Sequence, residues 1–242
     1  MKGIVMSTIA RFICTSLFMV IAPFCIAADY VQMTVDLDGD KKPEVVVASI
    51  TGSGVIQKFT IRIGAANYTD EFFAEDGDLP ELRIISINRK ESQKQLLVTS
   101  IDAAGYSYHL LAYVDHKLIA LLKSSSVSPA SPESIGNGNL TVSSWEGFWK
   151  RREIYHLEQG GTRLSLLPQK LYSVWVSGAA IKNVLLDPAE CKEKNIQKGG
   201  YLRVEKYDPV QHRYFIKAYG GVCGWIQEKK LNDKVVELPW AG

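Results

Sequence analysis

The sequence predicts a mainly β protein: a blade-like antiparallel β-repeat domain, open propeller-like or sandwich, followed by a small β-barrel. Three observations carry that prediction. "EVVVASITGSG" from Glu44 is echoed by "QLLVTSIDAAG" from Gln95 and by "NLTVSSWEGFW" from Asn139, each an apolar run, a small or hydroxylated pair and then a turn. Segments such as "VIQKFTIRIG" alternate apolar and polar residues, the period of a strand with one buried face. From about Tyr172 the pattern changes to short strands separated by Gly-led turns.

The first element is not part of the fold. Lys2 and Arg11 precede the apolar run "FICTSLFMVIAPFCIA", which is short and interrupted by Pro23, and Cys25-Ile26-Ala27 offers small residues for cleavage. Residues 1–27 are therefore read as a signal peptide, with an uncleaved anchor as the alternative. Removing them takes two bases and no acids from a chain of formal charge +2, so the remainder is neutral. That gives no global bias toward nucleic acid or an anionic surface. No later apolar stretch has the length of a spanning helix, so no membrane span is expected after cleavage, and the location is periplasmic or secreted.

Next comes "VDLDGDKKPEVVV", in which Asp36, Asp38, Asp40 and Glu44 lead directly into a block of valines. Clustered carboxylates at these spacings need a cation to offset their repulsion, and calcium takes six to eight oxygens. The alternative is that Asp36 and Asp38 cap a turn through its backbone amides. The motif resembles the calcium loop of FG-GAP or VCBS β-repeats. The resemblance implies a bound calcium held by Asp36, Asp38, Asp40 and Glu44, with the carbonyl of Lys42 as a further ligand. Lys41 departs from the family's usual glycine, at a place where the backbone is expected to be left-handed. The second copy lacks the acids, with Arg89 in the place of Asp38.

The repeat region is expected over residues 28–170. Its second and third copies continue as strand pairs around Asp115-His116-Lys117 and around Glu158 to Thr162. "SSSVSPASPESIGNG" reads as an exposed loop between them, because its serines and prolines sustain neither strand nor helix. The acidic run "TDEFFAEDGDLPE" from Thr69 fits no ligand spacing and reads as a solvated loop.

Residues 171–242 form the second expected domain. "KGGYLRVEKYDP" and "HRYFIKAYGGVCGWIQEKKL", with "NVLLDPAE" as first strand, resemble a bacterial SH3-like barrel, chiefly through Gly224-Trp225-Ile226. The resemblance implies recognition of peptidoglycan or an envelope protein through an aromatic-lined groove, and carries no catalytic residue. Tyr201, Tyr207, Tyr219 and Trp225 are the candidate ligand-binding aromatics. Trp145 and Trp149 in "WEGFWKRRE" form a second candidate patch, interleaved with bases. For all of these, strand packing is the competing role.

Cys191 and Cys223 are the two cysteines left after cleavage, an even pair in an oxidising compartment, and read as one disulfide. The alternative is a thiol at Cys223 activated by His212. The chain has no phosphate loop, no His-Glu-x-x-His, no zinc-spaced cysteines and no Gly-x-Ser-x-Gly elbow. The function expected is an exported, non-catalytic binding protein for cell-wall or envelope ligands, stabilised by calcium. A secreted hydrolase, or an inhibitor of one, with an SH3-like targeting module is the alternative.

Overall fold

The computed structural model describes residues 30–52, 56–73, 79–102, 105–126, 132–187, 191 and 195–239, and the expected leader lies outside them. The protein is mainly β, built from several antiparallel sheets. Among the described residues no helix is long and apolar enough to cross a membrane. Two compact units are present. Among the described residues, one takes in those up to 126 with 133–140 and 156–165; the other takes in 132, 141–155 and those from 166 onward.

The first unit opens with strands β1 (Tyr30–Val35), β2 (Glu44–Thr51), β3 (Ile56–Ile63) and β4 (Ala66–Phe73), which pair in chain order as one antiparallel sheet. Strands β5 (Glu81–Ile85), β6 (Gln95–Asp102), β7 (Gly105–Val114) and β8 (Lys117–Ser126) make a second sheet with the same in-order topology. Alternation decides which face of the first sheet is buried: Val46 and Ala48 on β2 and Phe59, Ile61 and Ile63 on β3 point inward. They meet Leu96, Val98, Leu111 and Tyr113 of the second sheet in one core. The centre of the second sheet is buried on both faces, since Leu96, Leu97 and Val98 are consecutive core residues and so are Leu110, Leu111 and Ala112. The turn into β8 places Asp115 and His116 both at positive φ, the backbone of a tight two-residue hairpin.

The loops before β2 and β6 are built alike. Glu44 Oε2 accepts from the amide of Leu37 at 2.7 Å, and Gln95 Oε1 accepts from the amide of Ile87 at 3.1 Å. Leu37 and Ile87 are both fully buried, so each side chain at the strand's head ties down an apolar anchor. The amide of Lys94 in turn donates to the carbonyl of Leu37, linking one loop to the next.

The serine-proline stretch departs from expectation at both ends. β8 continues through Ser126, because backbone pairing with β7 does not depend on side-chain propensity at a strand's end. Its far end is an ordered connection: Gly136 O accepts from Arg89 N, Gly138 N donates to Ile87 O, and Ser134 Oγ donates to Asn139 O. Residues 127–131 lie outside the described residues. Strands β9 (Asn139–Trp145), β10 (Lys150–Leu157) and β11 (Leu164–Leu167) form a three-stranded sheet in the order β11-β10-β9, and both β9 and β10 contribute residues to each unit.

The second unit is organised by a five-stranded sheet. Its strands are β12 (Tyr172–Ala180), then, after the short pair β13 (Val184–Leu185) and β14 (Asn195–Ile196), β15 (Tyr201–Asp208), β16 (Arg213–Ala218), β17 (Cys223–Gln227) and β18 (Val235–Val236). The order is β17-β16-β15-β12-β18. The segment expected as the first strand, from Asn183, gives only the two residues of β13; the long strand is β12, which pairs directly with β15. A helical turn α1 (Glu228–Leu231) follows β17 and buries Leu231. The core is aromatic. Trp149 packs against Tyr172 and Tyr207 at ring-centroid distances of 6.2 and 5.6 Å and donates its indole N–H to the Tyr214 hydroxyl at 3.3 Å. The paired Tyr207 and Tyr214 stack at 4.8 Å, and both hydroxyls donate to Glu228. Burial and then that carboxylate push the Tyr207 phenol up to about 12.

Cys191 and Cys223 form a disulfide, with Cα atoms 5.4 Å apart. The bond consumes the thiol that the alternative reading paired with His212.

Candidate functional site

Two constructions stand out, one in each unit. In the first, the loop between β1 and β2 gathers Asp36, Asp38, Asp40 and Glu44, with one carboxylate oxygen from each within 4.8 Å of the others. Local hydrogen bonds turn the acids inward. Asp36 accepts from the amides of Gly39 at 2.8 Å and Lys41 at 3.2 Å, Asp38 from Asp40 at 3.0 Å, Asp40 from Lys42 at 2.7 Å, and Glu44 from Leu37. Lys41 has φ of 70°, the left-handed backbone that the glycine-preferring position requires. Gly39, at φ 85°, has no such freedom to change: a Cβ there would lie 2.7 Å from that of Ser92. The buried Tyr113 stands beside the cluster, its phenol pushed up by burial and then by the charges of Glu44, Asp38 and Asp40.

The donor set fits a hard cation. Four carboxylates converge although each repels the others, and oxygen-only donors are what calcium takes. The amide bonds also realise the turn-capping alternative, so the two roles coexist in one loop. The corresponding loop before β6 keeps the strand-head bond through Gln95 but carries Arg89 and Lys90 in place of the acids.

In the second unit the structure separates the aromatics proposed as ligand contacts. Trp149 and Tyr207 are core residues, and a ligand-contact role for either is withdrawn: their rings are packed in the aromatic core of the second unit. Trp145 is half-buried and donates its indole N–H to the carbonyl of Gly147 at 2.7 Å. Trp225 packs edge-on against Phe215, and its face carries the Arg213 guanidinium at 4.3 Å. Tyr201 and Tyr219 are 67% and 92% exposed.

Those two tyrosines line a groove of about 520 Å³ that crosses the outer face of β12, β15 and β16. Ser177, Arg203 and Lys217 are register partners across the three strands and form its floor. Between the cations lies Glu205, only 3% exposed. It is the extra residue of a bulge, since the pairing of β15 with β16 shifts between Val204 and Lys206. Arg203 donates to Glu205 Oε1 from Nε at 3.1 Å and from Nη2 at 2.5 Å, while Lys217 Nζ sits 3.2 Å from Oε2. Burial alone would raise the Glu205 carboxyl, but the Arg203 and Lys217 contacts outweigh it and hold it below the usual range. The guanidinium of Arg203 lies 4.5 Å from the ring centroid of Trp175. Trp175 is 60% exposed and has φ of 56°, a conformation uncommon for a bulky residue, at the bulge between Ser173 and Val176. Such an outlier costs about 1–3 kcal/mol and concentrates at functional sites.

A third cluster, also missed in sequence, lies in the first unit. His109 on β7 is buried, with Nδ1 3.1 Å from the Tyr68 hydroxyl and 3.6 Å from Asp70, and Asp70 is bonded to Lys123 at 2.6 Å. Tyr68 donates its single proton to Asp70 at 2.7 Å, so its oxygen accepts from His109 and places the imidazole proton on Nδ1.

The sequence signal for the acidic loop was local and visible. Lys217 is joined to Arg203 and Glu205 only by cross-strand register, and Trp175 was hidden because, between Val174 and Val176, it reads as core although it faces outward. Comparison of the chain with protein-family models, with curated proteins and with solved structures found no match.

Proposed function

We propose that this is an exported, non-catalytic recognition protein that binds the cell wall, with peptidoglycan as its ligand, through the groove of the second unit, and that calcium stabilises its first unit. The observation that carries the reading is the groove itself. Two cations and the exposed Tyr201 are presented outward on strands, the exposed Tyr219 stands in the turn that follows β16, and a strained, exposed Trp175 supports one of the cations. Rigid strands hold a site more exactly than loops do, which favours binding over mere solvation. The disulfide and the lack of a membrane-crossing helix among the described residues are compatible with an extracytoplasmic location, as the expected signal peptide requires.

The first loop supports the calcium part of the reading: Asp36, Asp38, Asp40 and Glu44 would hold the ion, with the Lys42 carbonyl as the ligand the FG-GAP-like pattern adds. The shared strand-head bond of Glu44 and Gln95, and the identical order of the two four-stranded sheets, support a repeat origin for the first unit.

Co-sedimentation of the exported chain with purified peptidoglycan sacculi, once in millimolar calcium and once in EDTA, tests the proposal. Saturable pelleting in calcium that weakens in EDTA is expected. Protein left in the supernatant under both conditions would overturn wall recognition and direct the search to envelope proteins.

A further inference from the structure

We propose that the space between Arg203 and Lys217 is a site for the C-terminal carboxylate of a peptide, whose small apolar terminal residue lies against the rings of Tyr201 and Tyr219; the assignment rests on reading this groove as the recognition surface.

The charge count selects the ligand. Arg203 and Lys217 contribute two positive charges and the buried Glu205 one negative charge, so the site keeps a net single positive charge. One carboxylate neutralises it, whereas a phosphate dianion overshoots. Glu205 also orients both cations before any ligand arrives. It takes Nε–H and one Nη2–H of Arg203, and the guanidinium's fork leaves its other donors free. Lys217 likewise retains donors beyond its contact with Glu205. An anion entering the groove thus meets donors whose ordering cost has already been met within the fold. Both cations are about half exposed, at 47% and 52% of their side chains, so the donors are reachable.

Three rings of this face are engaged by cations: the face of Trp175 is covered by Arg203 and that of Trp225 by Arg213, and Lys206 lies over Phe215 at 5.8 Å. What stays uncovered beside the cation pair is the carbon of Tyr201, Tyr219 and Ala218, which an aliphatic residue next to a carboxylate would cover; the glucuronate arm of the test separates that occupant from a sugar stacked on the same two rings.

The disulfide fixes this arrangement from one side. Lys217 is the register partner of Cys223, so the bridge to Cys191 anchors the strand against which Lys217 is paired.

The test is an NMR titration of the exported chain with N-acetyl-alanyl-alanine, with its C-terminal amide, with glucuronate and with inorganic phosphate, read at the Trp175 indole and Arg203 Nε–H signals. The free-acid peptide is expected to shift both signals saturably, with the amide weaker by about tenfold or more, since charge-assisted bonds are roughly twice as strong as neutral ones. Arg203→Gln and Lys217→Gln are each expected to weaken the peptide by about tenfold. Glu205→Gln is expected to move the preference toward phosphate. Equal binding of acid and amide, no saturable shift with the peptide, or tighter binding of glucuronate or phosphate to the unaltered protein would each overturn the assignment. Sacculi that still pellet the protein when the peptide fails leave wall recognition standing without this site. Peptide binding without pelleting leaves the carboxylate site standing and removes the wall as its source.

Discussion

Acidification should weaken the first unit through one side chain, His109. It is 2% exposed, with Phe59 edge-on at 4.8 Å and Tyr68, Asp70 and Lys123 as its polar surroundings. Burial lowers its pKa from the ordinary 6.5 to about 4; the Asp70 charge opposes that shift and Lys123 adds to it. A histidine whose folded pKa is depressed stabilises the fold fully above its unfolded value. That contribution is lost as the pH falls from 6.5 toward 4. The full gap corresponds to about 3 kcal/mol, of which about 2 kcal/mol disappears between pH 7 and pH 5. Asp70 does not blur the window: its pKa, which burial would raise, is held down to about 2 mainly by its bonds to Lys123 and Tyr68, so its own loss begins only below the ordinary 3.8. The assay is urea unfolding at pH 7 and pH 5 of the native chain and of His109→Gln, followed by backbone hydrogen exchange on strands β6 and β7. Tryptophan fluorescence supplies an internal reference, because Trp145, Trp149, Trp175 and Trp225 all belong to the second unit. The variant is expected to start less stable and to lose about 2 kcal/mol less than the native chain on acidification. Equal losses in the two proteins would refute the assignment of the acid sensitivity to His109.

Two other outcomes are expected. Calcium at about a hundredfold over its dissociation constant should stabilise the first unit by about 2.7 kcal/mol, and Asp38→Asn should abolish that gain while leaving the metal-free loop no weaker, since one repelling charge is gone; an undiminished calcium response in differential scanning calorimetry would count against the loop. Trp149→Ala should destabilise the second unit by about 3–5 kcal/mol because it empties the centre of the tyrosine cluster, and a loss below about 1 kcal/mol by far-UV circular dichroism would show that the indole is not the core it looks to be.

What the sequence revealed follows the range of the interactions involved. The acids of the first loop lie within nine residues of chain and accept from the loop's own backbone amides, so composition and spacing were sufficient to find them. The two hairpins around Asp115 and Glu158 were legible for the same reason. β12 was not, because in "YSVWVSGAA" the outward-facing Trp175 sits between two valines, and the continuous apolar run masks an alternation that burial follows throughout. Trp149 and Trp225 look alike in sequence, each a tryptophan beside one large apolar neighbour, Phe148 or Ile226. Which of them fills the core and which lies under an arginine depends on strands elsewhere in the chain. The union of His109 with Asp70 likewise exists only once two sheets face each other.

The placement of residues 141–155 bears on where this protein can be cut. A boundary drawn near residue 170 gives a C-terminal fragment that looks complete by its strand count: β12 and β15 to β18 are all present. It would nevertheless be made without Phe148 and Trp149, which sit in the middle of that unit's aromatic core but are encoded upstream of the cut. Such a fragment inherits the sheet without the filling of its core, and binding lost on truncation would report a collapsed interior rather than a missing ligand contact. A faithful excision has to carry the β9–β10 hairpin along, as a splice rather than a single break.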